Sequence, residues 1–255
     1  MTLALTEREA SYTADEIKTK ASPRVNAFSL NGKKMFVPDA HIADYIIIPA
    51  RRAGSHRSGI SLFIVEAKDK NLRIQPLISI HHLKQCKVLL VDVHVPKGNV
   101  IGEQGQGWFY IQSLLPKAVA GKCCQMLGAM HKVLEMTLRY VQERYQFNRP
   151  LSAFQVIQHY CADMAIDLES SRLITYEAAW RLSTGLPSTK EVAMAKAWCS
   201  DAFKKLGTTS HQIHGAIGFT EEYDLQLFSR CAKAWELELG NGNFHREIIA
   251  RQMGL

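Results

Sequence analysis

Gly102-Glu-Gln-Gly-Gln-Gly107 is the stretch that decides the fold, because the spacing of apolar residues differs on its two sides. Glycines at 102, 105 and 107 make it a flexible seam. Upstream, apolar residues come in short β-branched runs: Tyr45-Ile-Ile-Ile48, Ile60-Ser-Leu-Phe-Ile-Val65, Leu72-Arg-Ile74 and Val88-Leu-Leu-Val-Asp-Val-His-Val95. Repeated short strands with no helical period between them predict a small sandwich or barrel. Phe28-Ser-Leu30, Asn31-Gly32 and Lys33-Lys-Met-Phe-Val37 read as a hairpin, since Asn-Gly supplies the two positive φ values of a type I′ turn.

Downstream, apolar residues recur at three and four, which predicts helices over Trp108–Tyr145, Phe154–Leu182, Thr189–His214, Tyr223–Trp235 and Asn243–Met253. Gly185-Leu-Pro187 breaks the series, and Pro116 should kink or delimit the first helix because it lacks an amide donor. The class is therefore α+β: a small antiparallel β domain over residues 1–104, then an up-and-down helical bundle over residues 105–255.

At 255 residues and 47% hydrophobic content the chain can bury a full core. The net charge of +7 admits a polyanionic partner, but Lys and Arg are scattered without a nucleic-acid motif, so no nucleic acid is expected. Six cysteines with no CxxC pair and no metal-like spacing predict reduced, mostly buried thiols and no metal. The N-terminus acquires charge too early for a secretory signal and no run of 18 apolar residues occurs, so the expectation is a cytoplasmic protein without membrane insertion.

Two glycine-punctuated junctions carry the remaining chemistry. Gln212-Ile-His-Gly215 closes a helix, and Gly218 follows; the glycines let backbone approach a flat ligand, but they equally suit an ordinary left-handed helix cap. Gly240-Asn-Gly-Asn243 precedes a helix whose N-cap is expected at Asn243, leaving free amides for a phosphate, a ring edge or a carbonyl oxygen, or else forming a plain connector. Glu143-Arg144, Phe147 and Phe154-Gln155 place a cation, a ring and an amide around a helix break. Thr6-Glu7 and Ile17–Lys20 carry no signal of their own. No catalytic triad, HExxH, P-loop or GxGxxG is present.

Taken in order, Ala4-Leu-Thr-Glu7, Ile17-Lys-Thr-Lys-Ala21, Leu30-Asn-Gly-Lys-Lys34, Asp39-Ala-His-Ile-Ala43, Gly59-Ile-Ser-Leu-Phe63, Glu143-Arg144 with Phe147, Phe154-Gln155 through Ala165, Gln212-Ile-His-Gly215 with Gly218-Phe219, and Arg246 through Arg251 resemble the acyl-CoA dehydrogenase family over essentially the whole chain. The family has an N-terminal helical domain, a middle β domain and a C-terminal bundle, with FAD between the last two. The resemblance covers only those two. It implies that the chain is a fragment or that another polypeptide supplies the missing helices, and that the surfaces so exposed drive association into a homo-oligomer or a hetero-oligomer with a related subunit.

The resemblance implies FAD as cofactor, with Thr6, Phe36, Arg144, Phe147, Gln155, Gln212, Gly215, Asn241 and Asn243 around it, some of them reaching a flavin held mainly by a neighbouring subunit. It implies an acyl-CoA substrate near Leu239, Tyr12 and Arg251, admits an electron-transfer flavoprotein as redox partner, and places a eukaryotic member in the mitochondrial matrix. In the family a glutamate removes the α-proton while its own amide, with the flavin ribityl hydroxyl, holds the thioester carbonyl. Aligned on Gly240 and Arg246, that position is Leu239. Glu238 is the remaining candidate base, but one helical residue turns its side chain about 100° away. Relatives that carry the base on the first bundle helix match Ala118 here, a second vacancy, and Pro38 stands where a threonine would bond near flavin N5. The implied function is FAD-dependent α,β-dehydrogenation of a CoA thioester. The alternatives are a non-catalytic partner subunit completing a flavin site and a flavin monooxygenase of the same fold.

Overall fold

The structure is a computed structural model that describes residues 1–52, 59–81 and 83–255. Contacts divide it into two compact units, Met1–Leu114 and Leu115–Leu255.

The first unit is an eight-stranded sheet: β1 (Thr2–Leu3), β2 (Lys20–Arg24), β3 (Ala27–Pro38), β4 (Tyr45–Arg52), β5 (Ile60–Glu66), β6 (Leu72–Leu77), β7 (Gln85–Pro96) and β8 (Val100–Ile101). The order is β6-β7-β3-β2-β4-β5-β8, with β1 beside β4. β1 and β2 run parallel to β4, and the other pairings are antiparallel. Its core gathers Phe28, Leu30, Ile46, Ile48, Phe63, Val65, Val88, Val93 and Val95, with Phe28 and Phe63 edge to face at 5.2 Å. Each such fully buried side chain contributes about 2 kcal/mol.

The Asn31-Gly32 hairpin is not formed. Both residues lie inside the single strand β3, and the turn falls at Val25-Asn26, where Asn26 takes φ 55°. Gly32 serves close approach instead, since a Cβ there would sit 2.5 Å from Thr19 Oγ1 and 2.8 Å from Thr19 Cα.

Two bulges interrupt the β3–β7 ladder. Between Leu30 and Gly32 the extra residue is on β7, where Asp92 has φ 57° and its amide donates to Asn31 Oδ1 at 2.8 Å. Between Lys34 and Val37 the extra residue is on β3, and Phe36 takes φ 55°.

The helices are α1 (Gly107–Glu143), α2 (Gln155–Thr184), α3 (Thr189–His214), α4 (Leu225–Leu237) and α5 (Gly242–Gln252). Pro116 does not end α1, which continues through it as one helix. The lost bond of one turn is outweighed by the row Val119, Cys123, Met126, Met130, Val133 and Val141 that α1 buries in the core of the second unit. That core also takes Met164, Leu168 and Ala178 from α2, Val192, Cys199, Phe203 and Leu206 from α3, and Leu225 and Ala232 from α4. Gly185 caps α2 in the left-handed conformation at φ 71°. The six cysteines are free; Cys86, Cys123 and Cys199 are buried, while Cys124 is exposed.

Candidate functional site

In the first unit the β3 bulge brings Thr6 and Phe36 together. A bulged residue has no partner across the ladder, so its backbone must bond elsewhere. Here Met35 N–H donates to Thr6 O at 2.9 Å, and Thr6 Oγ1 donates to Met35 O at 2.6 Å. The result turns Phe36 outward, 44% exposed, on a left-handed backbone that costs a non-glycine residue about 1 kcal/mol.

Glu7, which the sequence did not single out, fixes this corner. Its carboxylate accepts from Lys34 Nζ at 2.8 Å, from Thr19 Oγ1 at 2.7 Å, and from the amides of Lys18 and Thr19, both at 3.0 Å. Lys34 is fully buried, and burial pushes its pKa down to about 8 against the pull of Glu7. Burial alone would raise the Glu7 pKa, but the Lys34 ammonium and the hydroxyl and amide of Thr19 hold it below the usual carboxylate range. Arg51 closes the other side of the same loop on the carbonyls of Ile17 (2.9 Å) and Ala14 (2.5 Å). Tyr12 lies on this loop, half-buried.

In the second unit the helix break around Arg144 and Phe147 is a miniature hairpin. β9 (Tyr145–Gln146) pairs with β10 (Arg149–Pro150), and the two residues between them, Phe147 and Asn148, have φ 53° and 60°. Both central residues positive is the type I′ pattern, here built from Phe-Asn instead of Asn-Gly. The Phe147 ring is 87% exposed and touches Phe154 edge to face at 6.3 Å, while the Arg149 guanidinium covers Phe154 at 3.9 Å. Arg144 is exposed and bonded through its backbone to Tyr140 O and Leu151 N, and Gln155 is exposed as the first residue of α2.

Gln212 is exposed on the last turn of α3, and Gly215 follows with φ 64° and ψ −142°, a conformation that glycine alone adopts readily and not the left-handed cap expected. Beneath them His214 is buried, stacked on Tyr140 at 4.3 Å. Its Nδ1 faces Ser210 O at 2.8 Å, so that nitrogen carries the proton and Nε2 accepts from Tyr223 Oη at 3.1 Å. Burial lowers its pKa, which keeps the ring neutral.

The turn between α4 and α5 holds Glu238, Leu239 and Asn241, and Asn243 is the second residue of α5. The N-cap of α5 is Asn241, not Asn243: Asn241 Oδ1 accepts from Phe244 N–H at 2.9 Å. The helix starts two residues early because Gly240 at φ 96° already completes the reversal. Leu239 has φ 60° and packs against the core of the second unit. Glu238 is engaged with Lys122 at 2.8 Å, and Lys122 also sits 5.1 Å above the Trp235 ring. Arg251 is exposed and 3.6 Å from Glu247. Ala118, the other base position, is half-buried on α1.

The buried face of this turn carries two residues that the sequence reading missed. Lys196 Nζ, on α3, donates to Gly240 O at 2.9 Å, Glu236 O at 3.1 Å and Ser200 Oγ at 3.2 Å. His245 Nε2, on α5, donates to Leu239 O at 3.0 Å. Burial pushes Lys196 down to about 8 and His245 down to about 4. A groove of about 450 Å³ elsewhere on this unit, lined by Ile174, Met194, Trp198 and Ile249 with Asp167, Asp201, Lys205 and Arg246, contains none of the expected site residues.

Among the described residues eight non-glycines have positive φ, and three of them, Phe36, Phe147 and Leu239, are expected site residues. Strain of this kind persists where the surroundings impose it, often at ligand-binding positions.

Residues 2–93 match the acyl-CoA dehydrogenase middle-domain model and residues 105–254 the acyl-CoA dehydrogenase C-terminal-domain model. The chain belongs to the acyl-CoA dehydrogenase family. It is 31% identical over 253 residues to the mitochondrial short/branched chain specific acyl-CoA dehydrogenase of Bos taurus, covering 98% of this chain and 59% of that relative. The butyryl-CoA dehydrogenase structure from Megasphaera elsdenii superimposes with a TM-score of 0.93 at 29% identity, covering all of this chain and 68% of that one. A structure described as PigA with FAD and proline gives 0.93 at 27% identity, with 100% and 67% covered. The chain thus spans about three fifths of the length of the bovine relative. No helix among the described residues is long and apolar enough to cross a membrane.

Proposed function

We propose that the chain is a flavin- and thioester-holding subunit of an acyl-CoA dehydrogenase-type oxidoreductase, and that a related partner subunit supplies the base for α,β-dehydrogenation. One observation carries this reading: the turn expected to present a catalytic carboxylate presents Leu239, packed against the core, while its neighbour Glu238 is paired with Lys122. Leucine cannot accept a proton, and the Glu238 carboxylate is directed at the Lys122 ammonium 2.8 Å away.

The FAD fit rests on the Phe147 turn. A ring 87% exposed on a strained backbone does little for the fold, and with Arg144 nearby it suits stacking on an adenine beside a phosphate. Arg144, Phe147, Gln155, Gln212 and Gly215 would hold the nucleotide part of the cofactor. Asn241 and Asn243 are further contact candidates on this unit, and Thr6 and Phe36 are those of the first unit. FAD when bound supplies the hydride acceptor. The amide of Leu239 would receive the thioester carbonyl and Arg251 would meet the CoA portion, with Tyr12 the substrate-contact candidate of the first unit.

The test is the visible spectrum of the full chain with FAD. Oxidised flavin should remain bound and should not bleach with butyryl-CoA, whereas Leu239→Glu should bleach measurably. Rapid bleaching by the unaltered chain would overturn the missing-base reading.

A further inference from the structure

Lys122 links the two base positions that carry no base. On α1 it follows Ala118 by four residues, on the same face and about 6 Å further along the axis. Its Nζ is 2.8 Å from Glu238 Oε2, and Glu238 is the residue before Leu239. A base at either Ala118 or Leu239 has to reach one and the same α-proton, so the acyl chain of a thioester held at Leu239 runs past this pair. Both charges are mostly covered, with side-chain exposures of 13% for Lys122 and 28% for Glu238. An aliphatic chain pressed against them strips their water and forms no bond, which weakens binding.

What the pair leaves over is donors. An ammonium has three, and Glu238 is the one acceptor that Lys122 Nζ meets among the described residues. The Trp235 ring lies under the ammonium at 5.1 Å, and Nε1–H on the edge of that ring is buried with no acceptor among the described residues. A buried donor of this kind calls for a partner. The nearby charge has the same sign, since Lys196, fully buried beside Glu238, bonds only the carbonyls of Glu236 and Gly240 and the Ser200 hydroxyl. Glu236 itself is paired with Lys204 and Lys233.

We propose that Lys122 and the Trp235 Nε1–H form a subsite for a carboxylate at the far end of the acyl chain, so that the thioester held here carries a short dicarboxylic acyl group. This rests on the thioester reading of Leu239 given above and on Ala118 as the second base position. A carboxylate suits the place because it accepts from both donors while Lys122 keeps Glu238. Glu238 opposes it as a like charge, which limits the gain and excludes nothing. The rise of one helical turn between Ala118 and Lys122 matches the reach of a short acyl chain beyond its α-carbon.

Two measurements on the full chain with FAD test the assignment. In calorimetric titrations at fixed ionic strength, glutaryl-CoA should bind about tenfold more tightly than valeryl-CoA, the worth of one charge-assisted hydrogen bond. The two acyl groups have the same number of carbons and differ in ending on a carboxylate or a methyl. Lys122→Met should bring the ratio to near unity, Lys122→Arg should keep it, and Glu238→Gln should raise it by removing the like charge. A purely structural Lys122 would weaken both ligands alike. Equal affinities in the unaltered chain, tighter binding of δ-aminovaleryl-CoA than of glutaryl-CoA, or a ratio indifferent to Lys122→Met would overturn the proposal. The second measurement needs no CoA. The indole N–H resonance of Trp235, assigned with Trp235→Phe, should move downfield with the glutaryl thioester of N-acetylcysteamine and stay in place with the valeryl thioester. If neither CoA ligand binds while this resonance moves, the CoA reading fails and the carboxylate subsite stands. A resonance that stays in place with both thioesters removes the subsite, whatever CoA does.

Discussion

Glu7 and Lys34 show how much one residue pair can govern. Their side chains are nearly and fully buried, and 2.8 Å apart, so removing the carboxylate strands an ammonium without its partner. Glu7→Gln should destabilise the chain by about 3 kcal/mol in urea unfolding, and adding Lys34→Met should recover much of that loss. Because the folded Glu7 pKa is depressed, its contribution is present above the unfolded carboxylate pKa and fades as pH falls through the folded value. Glu7→Gln should accordingly flatten the acid limb of the stability curve. Phe147 makes the opposite case, since its ring packs against little and its φ of 53° favours glycine. Phe147→Gly should leave stability unchanged or raise it by up to about 1 kcal/mol, while FAD affinity drops about tenfold. A loss beyond about 1 kcal/mol would show that the ring serves the fold instead.

At the scale of elements, Gly32 is the most exacting position in the sheet. A Cβ there meets the backbone of Thr19 at 2.8 Å, so Gly32→Ala should lower stability by about 1–3 kcal/mol in thermal unfolding. The same glycine explains what sequence alone could convey about the fold. Strand and helix identities followed from local periodicity, and α3 was located to the residue, because alternation and three-to-four spacing are properties of neighbouring residues. Asn31-Gly32 misled because its role is set by Thr19, a dozen residues away in sequence. The N-cap of α5 is Asn241 and not Asn243 because the stretch offers two asparagines, and which of them caps depends on the backbone reversal already completed at Gly240. Lys196 is silent in sequence and Glu7 shows only as part of a family-like stretch, because a lone charge does not announce burial; only tertiary packing gives each its partners. The glycine junctions and the Arg144–Gln155 stretch were visible as candidates, yet the strain at Phe36, Phe147 and Leu239 emerged only from the backbone.

For the whole molecule the net charge of +7 would matter more to the proposed CoA ligand than any single cation, since CoA carries several phosphate charges. Affinity for butyryl-CoA should fall several-fold between about 50 mM and 500 mM salt, as the Debye length shrinks below about 10 Å. Affinity for the butyryl thioester of pantetheine, which has no phosphate, should stay flat in the same calorimetric titration. The Phe147-Asn148 turn has a further use at this scale. An exposed aromatic at a loop tip is a favoured cleavage point for chymotrypsin, and this one joins α1 to α2. Any molecule lying on the ring would shield that bond, so the rate of nicking there becomes a footprint of occupancy that needs neither turnover nor a coloured cofactor.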